Sequence, residues 1–275
     1  DTATPRIIGD LHGFHLYSWL VTVYLLASTT IIPLAGKLSD LLGRKWFLIG
    51  GVVIFLVGSI LAGTSQTMVQ LIIFRGIQGV GSGVLQTLAL ILIADIFPPN
   101  ERARWLGTFS AVIVLASVIG PLAGGWITDH LGWRWIFYVN VPLGVCALVM
   151  FIVWLPMTFS LGTAPRRNWG ETLRHIDIIG AMTIVVGIIC LLLGLTWGGQ
   201  MYAWTSSQII GLFVATALLF LLFFYVESHV QDPILPLDLF KNQVFSAGAL
   251  LSLLLGMVLF AIIVYLPLFV QAVQG

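Results

Sequence analysis

Gly36-Lys37-Leu38-Ser39-Asp40-Leu41-Leu42-Gly43-Arg44-Lys45 is the stretch whose reading decides the fold. Four of its ten residues are charged, in a chain of which only 8% is. Apolar stretches of bilayer length flank it on both sides. A glycine-bounded turn carrying both signs of charge has no place in hydrocarbon, where a charged side chain at a helix centre costs about 2.5–3.5 kcal/mol on insertion scales. The segment therefore reads as a tight turn at a membrane surface, joining two spanning helices.

The rest of the chain agrees. It is 59% hydrophobic with a mean hydropathy of +1.05, whereas a soluble domain is roughly 45–50% apolar. Apolar runs of about 20 residues recur, each long enough to cross a hydrocarbon core about 30 Å thick. Without water in that core, backbone groups must bond within helices. The fold class is an all-α polytopic membrane protein. Eight complete spans are expected, near 16–36, 46–65, 68–94, 104–127, 135–157, 177–197, 208–227 and 244–270, with ends loose by several residues. Residues 1–8 read as the tail of a further span. No initiating Met or signal-peptide pattern opens the chain, which reads as a segment of a longer protein.

Basic residues set the orientation. Lys37, Arg44 and Lys45, then Arg102 and Arg104, then Arg166, Arg167 and Arg174, then Lys241 fall in alternate loops, which take nine of the twelve Lys and Arg residues. Those loops are expected to be cytoplasmic. The intervening loops hold only Arg6 and Arg134, and Arg75 lies inside a span. A net charge of +1 gives no reason to expect a nucleic-acid partner. Cys146 and Cys190 fall inside spans and suggest packing rather than a disulfide, and the five histidines lack metal-ligand spacing.

Within the membrane, Arg75 is the sharpest feature. It calls for a cavity or a partner. Arg75, Gln78, Ser82 and Gln86 recur at helical spacing and are expected on one face, as a polar stripe about three turns long. Gly76, Gly79 and Gly83 form an adjacent small-residue face for close helix approach. The alternative is that Arg75 snorkels outward and the glutamines only join helices. The next span carries Ala116, Gly120, Pro121, Gly124 and Gly125, a proline kink beside glycines spaced for close packing. Asp129 to Gly144 then reads as an outer hairpin. Trp133 and Trp135 anchor it at the interface, and Arg134 is expected to pair with Asp129.

Taken together these segments resemble the major facilitator superfamily, and within it the fourteen-span drug:proton antiporter branch. Gly36, Asp40, Gly43, Arg44 and Lys45 match the loop pattern G-x-x-x-D-x-x-G-R-K/R. Arg75, Gln78, Gly79 and Gly81 match the fourth-helix pattern R-x-x-Q-G-x-G, whose arginine the family links to proton coupling. Gly120, Pro121, Gly124 and Gly125 resemble the antiporter motif G-x-x-x-G-P-x-x-G-G, with Ala116 replacing its first glycine. The Trp133–Gly144 segment is similar to W-R-W-I-F-x-x-N-x-P-x-G of that branch. Glu227, Pro233, Pro236 and Phe240 match its Glu…Pro-x-x-Pro-x-x-x-Phe connector. Asp40, Arg44 and Asp95 are implied to form a cytoplasmic charge cluster that latches the outward-facing state. Ala3 and Pro5 match the end of the first-helix motif, whose acidic proton carrier would lie before residue 1; Asp1 is a weaker candidate for a proton site.

The resemblance implies an organisation of 1–157 as an N-terminal bundle with a truncated first helix, and 158–176 as a cytoplasmic linker. The extra helix pair would occupy 177–227, and 228–275 a connector with the first helix of a C-terminal bundle. It implies a proton-coupled efflux antiporter for hydrophobic, often cationic drugs in the plasma or inner membrane, working by alternating access between two bundles. The proton is the coupling ion and no other cofactor is implied. The partners are the lipid bilayer, a small substrate and the rest of the same transporter. An exporter of a dedicated metabolite, a transporter of basic amino acids and a non-transporting membrane sensor or partner-binding protein are the alternatives. No carboxylate pair, nucleophile–base set or nucleotide loop points to an enzyme.

Overall fold

A computed structural model describes residues 4–11, 13–155, 177–199, 201–230 and 233–274, with side chains described as far as residue 258. Asp1 and the linker expected at 158–176 lie outside the described residues. All regular structure described is helical. Helix α1 covers Thr4–Leu11, and a 3-10 turn at Phe14–Leu16 leads into α2, Tyr17–Leu42. There follow α3 (Arg44–Thr64), α4 (Met68–Ile96), α5 (Pro99–His130), a short α6 (Trp135–Tyr138), α7 (Asn140–Trp154), α8 (Ile178–Trp197), α9 (Ser207–Glu227) and α10 (Gln243–Gln274). Each of the eight expected spans falls on one of these elements or, for the fifth, on α6 and α7 together. Seven described helices are long and apolar enough to cross a membrane by length and composition, and the described apolar part of α10, Gln243–Val258, is shorter.

The turn between the first two spans is smaller than the sequence suggests. Helix α2 runs on through Leu42, so Gly36, Lys37 and Asp40 belong to its last turns. The joint is one residue, Gly43, at φ 88 and ψ 126, and α3 starts at Arg44. A side chain at such a positive φ is strained by about 1–2 kcal/mol, so glycine is what lets the chain reverse here. Nothing between Lys37 and Leu42 breaks a helix, and Ser39 Oγ bonds back to the Gly36 carbonyl at 2.7 Å.

Helix α4 is the centre of the bundle, sandwiched between α2 and α3. Its glycines explain how. A methyl on Gly76 would come within 3.1 Å of Val23, and one on Gly79 within 2.5 Å of the Tyr24 carbonyl. One on Gly83 would strike the Ser28 carbonyl and Ile31. The three glycines are one seam against α2. On the opposite side Gly81 meets the Phe55 backbone of α3, while Gly58 of α3 lies against the Gln78 backbone. Without a hydrophobic drive between helices in lipid, this backbone-to-backbone closeness is what holds them.

Two apolar clusters close the ends. Ile7, Leu20, Ala62, Met68, Leu71, Trp133 and Phe137 pack at the end away from Gly43. Ala35, Leu48, Val84, Leu88 and Leu92 pack towards the Gly43 end. Helices α8 and α9 form a separate antiparallel hairpin in which Phe220 and Phe213 pack over Gly187 and Gly194. Trp197 of this hairpin meets Trp19 of α2 edge to face, with ring centroids 5.7 Å apart. Helix α5 presents most of its length outward; Thr128 is its buried residue.

Candidate functional site

The polar groups of the bundle gather in three places. The first is the Arg75 network between α2, α3 and α4. Arg75 Nε donates to the Leu20 carbonyl at 3.3 Å, and its Nη1 donates to Gln78 Oε1 at 3.0 Å. The guanidinium carbon stands 4.2 Å from the centroid of the Tyr24 ring and 5.9 Å from that of Phe137. A desolvated cation over an aromatic face gains up to about 2 kcal/mol. Among the described residues no carboxylate lies within ion-pair distance of Arg75. Its charge is instead held by a carbonyl, an amide and two ring faces. Ser82, two turns further on, accepts a hydrogen bond from Tyr24 Oη at 2.7 Å, so Tyr24 touches both Arg75 and Ser82, two of the four residues of the stripe.

The structure corrects the expectation of one continuous polar face. Gln78 is 2% exposed and turns away from α2 into the seam with α3. There its Nε2 donates to Ser59 Oγ at 3.0 Å, which also accepts from Asn140 Nδ2 at 3.0 Å and donates to the Phe137 carbonyl at 2.8 Å. Gln78 therefore does not line an open cavity; it is the buried link between Arg75 and the α3–α7 side. Gln86 is exposed. Ser59 is the member of this network that no motif singled out; Asn140 is the asparagine of the Trp133–Gly144 pattern, but nothing in that pattern joins it to Arg75, which sits on a different helix.

The second place is the Gly43 joint. Arg44 pairs with Asp40 at 3.0 Å across the joint and with Asp95 at the far end of α4. The structure thus brings Asp40, Arg44 and Asp95 together, with Arg44 the shared cation. Lys45 is not in this group. It is 5% exposed, and its Nζ donates to the carbonyls of Ile152 at 2.9 Å and Leu155 at 2.6 Å. A cation there satisfies orphan carbonyls at the C-terminal end of α7 and complements the helix dipole. Grouping Lys45 with the gate residues therefore has to be corrected.

The third place lies at the opposite end of the bundle from Gly43. Asp129 pairs with Arg6 of α1 at 2.7 Å, rather than with Arg134 as the sequence suggests. Arg134 lies 4.0 Å from Asp10, stacks on Trp133 at 4.3 Å and donates to the Ser65 carbonyl at 3.1 Å. Trp133 Nε1 donates to Asp10 at 2.8 Å. Helix α1 inserts its own charges beside the hairpin and takes both partners.

The Ala116–Gly125 segment is an unbroken helix through Pro121 with Ala116, Gly120 and Pro121 exposed. A methyl on Gly120 or Gly125 would meet nothing within 4 Å. Among the described residues, then, the notch in α5 is open rather than filled by a packed helix.

The chain matches the Major Facilitator Superfamily over residues 2–275. It is 45% identical, over 100% of this chain and 49% of the relative, to the multidrug transporter protein MdtP of Bacillus subtilis. It is 44% identical to multidrug resistance protein 3 of the same organism, over 100% of this chain and 52% of that protein. The efflux pump aflT of Aspergillus parasiticus is 34% identical, over 100% of this chain and 54% of that pump. The chain spans about half the length of these curated relatives, at 49%, 52% and 54%.

Proposed function

The chain belongs to the Major Facilitator Superfamily, a family of transporters rather than enzymes, and from that premise we propose that it is part of a proton-coupled efflux antiporter for hydrophobic, often cationic drugs. It acts in the plasma or inner membrane by alternating access, together with the second bundle of the same transporter, and uses the proton as its coupling ion. Three relatives whose names say multidrug or efflux support the direction and the substrate class.

The observation that carries the coupling is the setting of Arg75. A permanently charged group is held half-buried between α2 and α4 by a carbonyl, Gln78 and the Tyr24 face, with no carboxylate of the described residues beside it. Such a cation favours release of a proton from any acidic group brought near it and welcomes the anion so formed. Tyr24 and Ser82 line the same side of α4 and supply the polar contacts a substrate would meet. The Asp40–Arg44–Asp95 cluster fastens the cytoplasmic ends of α2, α3 and α4 in one state and releases them in another. Gly120 and Pro121 leave α5 a notched outward face on which the second bundle rocks.

The test uses the full-length gene product in inside-out vesicles energised with a proton gradient. Addition of a cationic drug should release protons from the vesicles, and Arg75→Ala should abolish that release while leaving the protein folded. Arg75→Lys should retain part of it. Drug-induced proton movement unchanged by Arg75→Ala would overturn the coupling role. Absence of any drug response, with flux of a single metabolite or of basic amino acids instead, would overturn the substrate class.

A further inference from the structure

The connector between α9 and α10 is held at two points that the transport reading does not use. Lys37 of α2 donates to the Pro233 carbonyl at 3.2 Å. Glu227, the last residue of α9, accepts from the Leu235 backbone N–H through Oε1. Glu227 is 3% exposed, yet its second oxygen, Oε2, is buried without a hydrogen-bond partner among the described residues. Asp177, which caps α8, repeats the pattern. Its Oδ1 accepts from Gly180 N–H at 2.8 Å, while Oδ2 is buried without a hydrogen-bond partner among the described residues. The two free oxygens face the same point. A methyl on Gly180 would strike Asp177 Oδ2 and lie 3.3 Å from Glu227 Oε2.

The charged groups acting on Glu227 are Asp177 from α8 and Lys37 from α2, with the Ile234 and Leu235 backbone facing it from the connector. His229, two residues further along, is exposed and turned to the Tyr225 carbonyl at 2.8 Å. Two ionised carboxylates in this arrangement would repel, each with an orphan oxygen that costs free energy while it stays unpaired. A hard metal cation does not answer the need, because it takes six or more oxygen ligands, and the described residues assemble no group of three or more His, Cys, Asp or Glu able to hold one. A single proton does. It gives one oxygen an O–H to donate and the other a bond to accept, and it leaves Lys37, Asp177 and Glu227 neutral in sum.

We propose that Asp177 and Glu227 hold one proton between them at neutral pH, forming a proton-binding site at the cytoplasmic edge of the α8–α9 hairpin that fastens the connector to the end of α2. When that proton leaves for bulk water, both carboxylates are charged. They repel, Lys37 is drawn off the Pro233 carbonyl towards them, and the connector loosens. The site does not depend on what the protein carries across the membrane.

Infrared spectroscopy of the purified full-length protein, titrated in H2O and D2O, tests this. At neutral pH the parent should show the carbonyl stretch of a buried protonated carboxylic acid that fades on alkalisation. Glu227→Gln and Asp177→Asn should each remove it, because either carboxylate left alone beside Lys37 ionises. Gly180→Ala, which drives a methyl between the oxygens, should weaken it even where a charge-removing variant fails to fold. A parent without the band, or a band that survives both substitutions or is lost in only one, overturns the shared proton. Trypsin cleavage after Lys241, normalised to a flexible control substrate in the same tube, should accelerate on alkalisation in the parent and not in Glu227→Gln. Equal acceleration in both overturns the fastening role.

Discussion

Gln78 Nε2 and Ser59 Oγ lie 3.0 Å apart at 2% and 0% exposure, and that hydroxyl also serves Asn140 and the Phe137 carbonyl. One donor and two acceptor sites are all that a serine has, and all three are used. Ser59→Ala would remove three hydrogen bonds at once, leaving the buried Gln78 Nε2 without this partner, and should cost about 1–3 kcal/mol of stability. Ser28→Ala, which removes only a bond to the Leu25 carbonyl in its own helix, should cost clearly less. Thermal unfolding in detergent compares them, and equal melting shifts would mean that the Ser59 network carries no special weight.

The glycines of α4 and α5 should behave oppositely. A methyl on Gly79 meets the Tyr24 carbonyl at 2.5 Å, so Gly79→Ala should separate α2 from α4 and destabilise by about 1–3 kcal/mol. Gly120→Ala meets open space and should stay within about 0.5 kcal/mol of the parent. Drug export by the full-length protein should nonetheless fall in Gly120→Ala if α5 is the rocking face. The informative comparison is therefore the melting temperature against transport rate for the pair of variants.

At the Gly43 joint, Arg44 makes one local and one distant ion pair. Asp40 is four residues away along the chain, and such pairs contribute about 0.3–0.5 kcal/mol. Asp95 ties α3 to the end of α4, with its side chain 29% exposed. Asp95→Asn should loosen the helix ends around Gly43 more than Asp40→Asn. Hydrogen exchange at the start of α3 would register the difference, and an equal effect would place the latch in the local pair alone.

The connector offers an internal control for pH experiments. Asp238 and Lys241, fully exposed, pair at 2.6 Å. The hydrogen bond and charge of Lys241 hold the Asp238 carboxyl below its usual range, and Asp238 raises Lys241 in turn. The Asp238 contribution is present above the ordinary carboxylate range and fades as pH falls through the lowered value. The Lys241 contribution is present below the ordinary lysine range and fades as pH rises through the raised one. Between those limits the pair is constant. Carbon NMR of the Asp238 carboxyl should be flat across neutrality, and Lys241→Met should move its titration upward.

Spans and small-residue seams were legible in the sequence because hydropathy and four-residue spacing are local properties. Gly76, Gly79 and Gly83 do meet α2 along one line. The polar stripe was legible only in part. A step of three residues on a helix swings about 60° off the axis line, and that swing carries Gln78 from the Arg75 side into the α3 seam. Partners far apart along the chain were the least legible. Nothing local to Lys45 announces the α7 carbonyls, and nothing local to Asp129 announces Arg6. The joint at Gly43 is shorter than its sequence suggests, because charge marks the membrane surface without saying whether the helix has already ended.

That joint has a kinematic consequence. Adjacent Cα atoms are only about 3.8 Å apart, so a one-residue link gives α2 and α3 almost no slack at that end. They can rotate about Gly43 like the arms of a compass, but they cannot slide past one another. Any motion that parts the bundle there must hinge on that glycine or carry both helices together, and its amplitude grows with distance from the pivot, towards the opposite face.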